Sequence, residues 1–272
     1  MAQLIEGTAA DATPLERALI ALSRKTYEEP ARLTPADLEP LRTLCGDAAL
    51  DYALVIGAFH FVNRIADLLH VDAELLPEPL RRFELLRRLS VRLGSIVMAR
   101  MDLTPREYRT TYEEALARAT PTFTRAIGRP PVDELAALRA RPKLIEALQL
   151  ALEERDGRSS LDRAVLGEIH RTVEAALPRS LAEAEGFHAR PADPVAAFAF
   201  VGTRYAYRTT ADMVAALRRA GYDDTGILDL AIAVADANHW ARVRRLVGLA
   251  PELFYVGSLV IPAPAAPVRP RA

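Results

Sequence analysis

The chain has 272 residues, of which 50% are hydrophobic and 26% charged, enough apolar surface for a packed core and too much for wholesale disorder. Its formal net charge of −1 advertises neither a nucleic-acid partner nor an anionic membrane, although Arg supplies 33 of the 35 positive charges. The single cysteine, Cys45, excludes an intrachain disulfide, a CxxC redox pair and a multi-thiolate metal site.

The N-terminal MAQLIEGTAADATP has acids and no charged-then-apolar leader pattern, and no apolar run approaches the roughly 18 residues of a membrane span. The expectation is a cytoplasmic protein. Apolar residues recur with helical spacing along almost the whole chain and alternating β-branched runs are nearly absent, so the expected fold class is all-α. Thr13-Pro14-Leu15-Glu16, Thr34-Pro35-Ala36-Asp37 and Thr104-Pro105-Arg106-Glu107 each offer a Thr N-cap, Pro at the first helical position and an acid two residues later. Helices are predicted near 14–29, 35–45, 48–70, 79–101, 105–119, 132–140, 143–155, 160–177, 180–185, 194–207, 210–220 and 225–247. Pro40 should kink or split the second. Stops are expected at Gly46, Gly157, Gly186, Gly221 and Gly248, with a loose Pro-rich tail over 255–272.

The segment 78–110 holds eight Arg against four acids, and Leu80, Phe83, Leu86, Leu89, Leu93 and Ile96 give the same stretch a core-facing stripe. That is the pattern of a solvated helix face, and no interleaved aromatic set points to nucleic acid or lipid.

One internal repeat stands out. LDYALVIGAFHFVNRIADLLHVDAELL (50–76) aligns without gaps on LDLAIAVADANHWARVRRLVGLAPELF (228–254), with Leu50/Leu228, Asp51/Asp229, Ala53/Ala231, Arg64/Arg242, Leu68/Leu246 and Glu74/Glu252 in register. Ala36-Asp37 with Leu41-Arg42 extends the match to Ala211-Asp212 with Leu217-Arg218. The helix from Tyr52 to Val62 is apolar nearly all round and should be covered on both sides. It places His60, Asn63, Arg64 and Asp67 on one stripe, while the second copy offers Asn238, Arg242 and Arg245, with Asp236 and His239 beside them.

An arginine leaving a buried helix grips a carboxylate, which belongs either to the protein or to a ligand. The internal options are Arg64 with Asp67 or Asp229, and Arg242 with Asp51. Asp51 and Asp229 each lie thirteen positions before the Arg of their own copy, roughly 20 Å along one helix, so only an antiparallel partner closes a cross-pair. His60 reads either as a satisfied core histidine or as a general acid/base. No histidine pair has metal-ligand spacing, and no Walker loop, GxGxxG or GxSxG occurs. Ser159-Ser160 reads as an N-cap, and Cys45 sits at a helix C-terminus, where carbonyl dipoles oppose a thiolate.

The stretch FHFVNRIADLLHV (59–71), after LTPADLEPLR (33–42), resembles the C-terminal half of the alkylhydroperoxidase D-like proteins of the carboxymuconolactone decarboxylase superfamily, where it reads F-N-x-x-N-R-I-A-x-x-L-G-V. Phe59, Asn63, Arg64, Ile65, Ala66 and Val71 fit, while His60 and His70 replace the expected Asn and Gly. The second copy, 212–249, looks like the same unit, keeping Asn238, Arg242 and Gly248 without the Asn-Arg pair.

The resemblance implies an alkylhydroperoxidase D-like helical bundle with internal duplication. One half-unit would span 1–77, a helical insert or connecting scaffold 78–190 and the second half-unit 191–254. It further implies assembly into at least a dimer; no cofactor or metal is expected. Peroxidase members of the family use a CxxC pair with a nearby His and Glu, which this chain lacks. The leading expectation is therefore a cysteine-depleted member with a small-ligand or interaction site, Arg64, Asn63, Asn238, His239 and Arg242 holding a carboxylate-bearing ligand. Two enzyme readings stay open: a decarboxylase or lactone-type reaction with His60 or His239 as acid/base, and an antioxidant peroxidase using Cys45 with an external thiol.

Overall fold

The computed structural model describes residues 12–70, 110–127, 129–158, 160–179, 191–250 and 253. Among the described residues there are α-helices and short 3-10 turns and no strand, so the chain is all-α as expected.

Helix α1 (Pro14–Glu28) begins at the predicted box: the Thr13 hydroxyl accepts from the Glu16 amide at 3.2 Å and the Glu16 carboxylate accepts from the Thr13 amide at 2.7 Å. Pro40 does split the next helix, into a 3-10 turn at Pro35–Leu38 and α2 (Glu39–Cys45). The long helix α3 (Ala48–Leu68) follows the turn at Gly46.

The Thr104 box and residues 105–109 lie outside the described residues; within them the helix expected over 105–119 starts at Tyr112. Thr111 and Glu114 form their own reciprocal cap, at 2.9 and 3.2 Å, and α4 (Tyr112–Ile127) runs on through Pro121. Residues 132–140 contain only a 3-10 turn at Ala136–Leu138, and α5 (Pro142–Arg158) ends one residue after Gly157. Ser160 caps no helix: its amide and hydroxyl both donate to Asp229, and Asp162 caps α6 (Arg163–Ala176) by accepting from the Val165 amide. Asp193, Thr210 and Asp223 likewise cap α7 (Pro194–Arg204), α8 (Ala211–Arg219) and α9 (Asp224–Val247). Helix α7 stops short of residue 207, because the chain breaks at Tyr205 into a 3-10 turn at Ala206–Arg208. Helix α9 ends at Gly248, whose left-handed φ of 80° suits a residue without a Cβ. The helices predicted at 79–101 and 180–185, the stop at Gly186 and the tail over 255–272 lie outside the described residues.

Two hydrophobic cores share the two long helices. The first joins Leu22, Leu38 and Leu41 to the start of α3 (Ala49, Leu50, Ala53), to Phe123, Ile145 and Leu148 of α4 and α5, and to the end of α9 (Trp240, Val243, Leu246). The second joins Leu68 at the end of α3 to Ile169 and Val173 of α6, Phe198 and Val201 of α7, Met213 and Leu217 of α8, and the first half of α9 (Ile227, Leu230, Val234). Since the start of one long helix meets the end of the other, α3 and α9 are antiparallel. Gly57 lets them touch: a Cβ there would come within 2.5 Å of Val243 Cγ2 and 2.7 Å of His239 Nδ1. Residues 112–152 enter the first core and 161–177 the second, so the segment between the two repeat copies is built into both.

Helix α3 is not covered on both sides. Val55, Phe59 and Val62 point away from α9 and are 51%, 64% and 59% exposed, although the helix is apolar nearly all round. Among the described residues no helix is long and apolar enough to cross a membrane.

Candidate functional site

His60, Arg64, Asn238 and Arg242 of the long helices converge where these helices cross the ends of α1 and α7. A helix end leaves its last carbonyls without intrahelical partners, and three buried arginines supply the missing donors. At the end of α1, the Thr26 carbonyl accepts from Arg242 Nε at 3.0 Å, and the Tyr27 and Glu28 carbonyls accept from Arg204 Nη1 and Nη2 at 3.0 and 3.1 Å. At the end of α7, the Thr203 carbonyl accepts from Arg64 Nη2 at 2.9 Å.

Each long-helix arginine is oriented from one turn earlier on its own helix. Arg64 Nη1 donates to the His60 carbonyl at 3.1 Å and lies 3.2 Å from His60 Nδ1; Arg242 Nη1 donates to the Asn238 carbonyl at 2.8 Å and to Asn238 Oδ1 at 2.9 Å. The supporting residues then reach a threonine on the opposite short helix. His60 Nε2 is 2.9 Å from Thr26 Oγ1, and Asn238 Nδ2 donates to Thr203 Oγ1 at 3.2 Å. Both threonine hydroxyls spend their proton on their own helix, Thr26 on the Ser23 carbonyl and Thr203 on that of Ala199, each at 2.7 Å. Arg64 is a donor only, so His60 Nδ1 accepts and Nε2 carries the hydrogen that Thr26 receives. The triads Thr26, His60, Arg64 and Thr203, Asn238, Arg242 therefore close one ring, each arginine ending on the carbonyl of the other triad's threonine.

Burial and mutual repulsion depress every base in the ring. Burial and then the charges of Arg242, Arg64 and His239 push His60 down to about 2, so it stays neutral. Arg64 is lowered to about 10, by burial first and then by Arg204, with Asp67 opposing. Arg242 lies well below its ordinary value because of burial and then Arg64 and Arg204, and burial lowers Arg204 as well. His239 is lowered by burial and by Arg242, against the opposing pull of the Gly57 backbone; its ring stands edge-on to Trp240 at 4.5 Å.

The ion pairs expected for these arginines do not form. Asp51 pairs with Arg141 at 3.4 Å, Asp229 is engaged by Ser160, and Asp67 reaches Arg64 only as a more distant charge. Among the described residues no carboxylate lies in ion-pair range of Arg64, Arg204 or Arg242. One nitrogen of each, Arg64 Nε, Arg204 Nε and Arg242 Nη2, is buried without an acceptor. The nearest acid on α6, Glu174, is already taken by Arg244 at 2.7 Å and Arg245 at 2.5 Å. The acceptors are backbone carbonyls instead, and these carry no residue signature in a sequence.

Of the other expected site residues, Asn63 is exposed on α3, off the ring. Cys45 is half-buried in the last turn of α2, its thiol donating to the Leu41 carbonyl at 3.0 Å. Arg204, Thr26 and Thr203 were not foreseen. A Thr in the last turn of each short helix, TYEE at 26–29 and TRYA at 203–206, was the available signal. Among the described residues no cluster of three or more His, Cys, Asp and Glu side chains is placed to hold a metal ion. A cavity of about 330 Å³ lies elsewhere, between the starts of α6 and α9, lined by Ser160, Asp162, Val165, Tyr222, Asp223 and Gly226. Its Asp162 and Asp223 are already committed as helix caps.

Comparison of the chain with protein-family models, with curated proteins and with solved structures finds no match.

Proposed function

We propose that this chain is a cysteine-depleted, internally duplicated protein of the alkylhydroperoxidase D-like kind that binds a small carboxylate-bearing ligand and carries no thiol peroxidase chemistry. The observation behind the ligand is the arginine centre: three guanidinium groups buried together, no carboxylate in ion-pair range among the described residues, and one unanswered nitrogen on each. Guanidinium groups in a low-dielectric interior bind carboxylates strongly when no protein acid has claimed them. The duplication is supported by the two matching triads, because the residues aligned in the repeat, His60 with Asn238 and Arg64 with Arg242, hold equivalent bonds.

The acid/base reading has less support at His60, which burial keeps neutral and whose two ring nitrogens are engaged by Arg64 and Thr26. A peroxidase cycle at Cys45 would run apart from every group in the ring.

Two measurements test the proposal. Calorimetric titration of the full chain with aliphatic and cyclic carboxylates should give saturable binding, weakened at least tenfold in Arg242→Met; heatless titrations across the panel would reject the ligand. Organic hydroperoxide with thiol reductants should show no turnover, and robust turnover abolished by Cys45→Ser would reject the non-peroxidase reading.

A further inference from the structure

We infer that the centre formed by Arg64, Arg204 and Arg242 takes one compact monovalent anion, of the size of formate or acetate, as a buried counter-charge between the two halves of the molecule. This rests on the proposed ligand site and narrows what that site accepts.

Charge is the first argument. The ends of α1 and α7 oppose the three guanidinium groups with only about half an elementary negative charge each. Asp67 lies beyond ion-pair range of Arg64, and Glu174 is shared with Arg244 and Arg245. The centre keeps a positive excess that one anion reduces, and burial makes that excess costly.

Donor geometry is the second. Arg64 Nε, Arg204 Nε and Arg242 Nη2 are hydrogen-bond donors with no acceptor, while the remaining guanidinium nitrogens are held by carbonyls, Asn238 Oδ1 and His60 Nδ1. Three donors suit a small carboxylate, whose two oxygens offer about four lone-pair sites.

Access sets the size. Arg242, Arg204 and Arg64 are 1%, 5% and 8% exposed, so a bulky organic acid finds no opening. The cover over the ring is the last turn of α1, held down by the arginine bonds to Thr26, Tyr27 and Glu28 and ending in exposed Tyr27, Glu28 and Glu29. Lifting that one turn admits a compact ion, and reclosing it returns the carbonyls to Arg204 and Arg242.

The test is thermal unfolding of the full chain at pH 7.5, with sodium formate replacing sodium gluconate at constant ionic strength. A ligand bound only by the folded state raises Tm with the logarithm of its concentration, here by about 3 °C or more per tenfold formate above Kd. Arg204→Met should lose this dependence, and line broadening of carbon-13 formate should saturate at one ion per chain. A Tm that ignores formate in the wild type overturns the inference, as it would if buried water alone answered the three donors. An equal shift in wild type and Arg204→Met also overturns it, as a general salt effect. Should Arg204→Met fail to fold, the carbon-13 titration of the wild type decides: saturation at one formate per chain supports the inference, and broadening that does not saturate overturns it. Binding of bulkier carboxylates by calorimetry without formate binding defeats the size limit and leaves the proposed function standing; absence of both defeats both.

Discussion

Arg242 donates from Nε to the carbonyl of Thr26 at 3.0 Å, across 216 residues of sequence. With Arg242 gone, the Thr26 carbonyl and Asn238 Oδ1 lose their donor inside the protein, and a buried acceptor without a partner costs about 1–3 kcal/mol. Arg242→Met is therefore expected to lower stability by about 2–4 kcal/mol in urea unfolding. Arg242→Lys should cost at least as much. The ammonium keeps the buried charge but cannot span Thr26, the Asn238 carbonyl and Asn238 Oδ1 as the planar fork does. A lysine variant close to wild type would show that charge alone, without the fork, holds the ring.

The crossing of the long helices depends on Gly57. Alanine normally gains about 1 kcal/mol over glycine inside a helix. Here the added methyl would sit 2.5 Å from Val243 Cγ2 and 2.7 Å from His239 Nδ1. Overpacking of this kind costs about 1–3 kcal/mol, so Gly57→Ala should be net destabilising, with Tm lower by several degrees in a thermal scan. A raised Tm would mean that α3 and α9 separate more easily than their packing implies.

Glu174 ties α6 to the end of α9 through Arg244 and Arg245, and those partners outweigh burial and hold its carboxyl down at about 2. A carboxylate with a depressed folded value stabilises above its unfolded value and loses that stabilisation as pH falls through the folded one. The window is thus from about pH 4.5 down to about 2, and the contribution at neutral pH is about 3 kcal/mol. Glu174→Gln should lose most of it at pH 7 and show a shallower acid limb when urea midpoints are followed from pH 6 to pH 3.

The helix frame was legible wherever a side chain announces a boundary. The Thr13 and Thr34 boxes, the split at Pro40 and the stop at Gly248 all lie where their chemistry puts them. Boundaries failed where two signals competed or a weak one was overruled. The reciprocal cap at Thr111 starts α4, and residues 132–140 keep only one 3-10 turn of the helix their periodicity predicts. The repeat drew attention to Arg64, Arg242, His60 and Asn238, which the structure joins in one hydrogen-bonded ring. It misassigned their partners because the acceptors are carbonyls of Thr26 and Thr203, available only once two helices end at the same place. Arg204 was invisible for a related reason: it faces Tyr27 across the ring and has no arginine counterpart in the first copy.

The two triads differ at one supporting position, His60 in the first and Asn238 in the second, and that difference carries a pH signature. A base whose folded value is depressed stays neutral in the folded chain, while the unfolded chain takes up a proton below about 6.5. Stability is then complete above pH 6.5 and falls on acidification by up to about 1.4 kcal/mol per pH unit, continuing until His60 titrates near 2. His239, also depressed by burial, adds a slope of the same sign. Asparagine at position 60 offers an oxygen to Arg64 and an amide hydrogen to Thr26 Oγ1, as Asn238 does for Arg242 and Thr203. His60→Asn should therefore stay within about 1 kcal/mol of wild type at pH 7.5 and be the more stable protein at pH 5, by about 2 kcal/mol. Urea unfolding of both chains between pH 7.5 and 5 reads the difference directly. Parallel pH profiles would mean that His60 takes up a proton in the folded chain and that the ring admits a charge there.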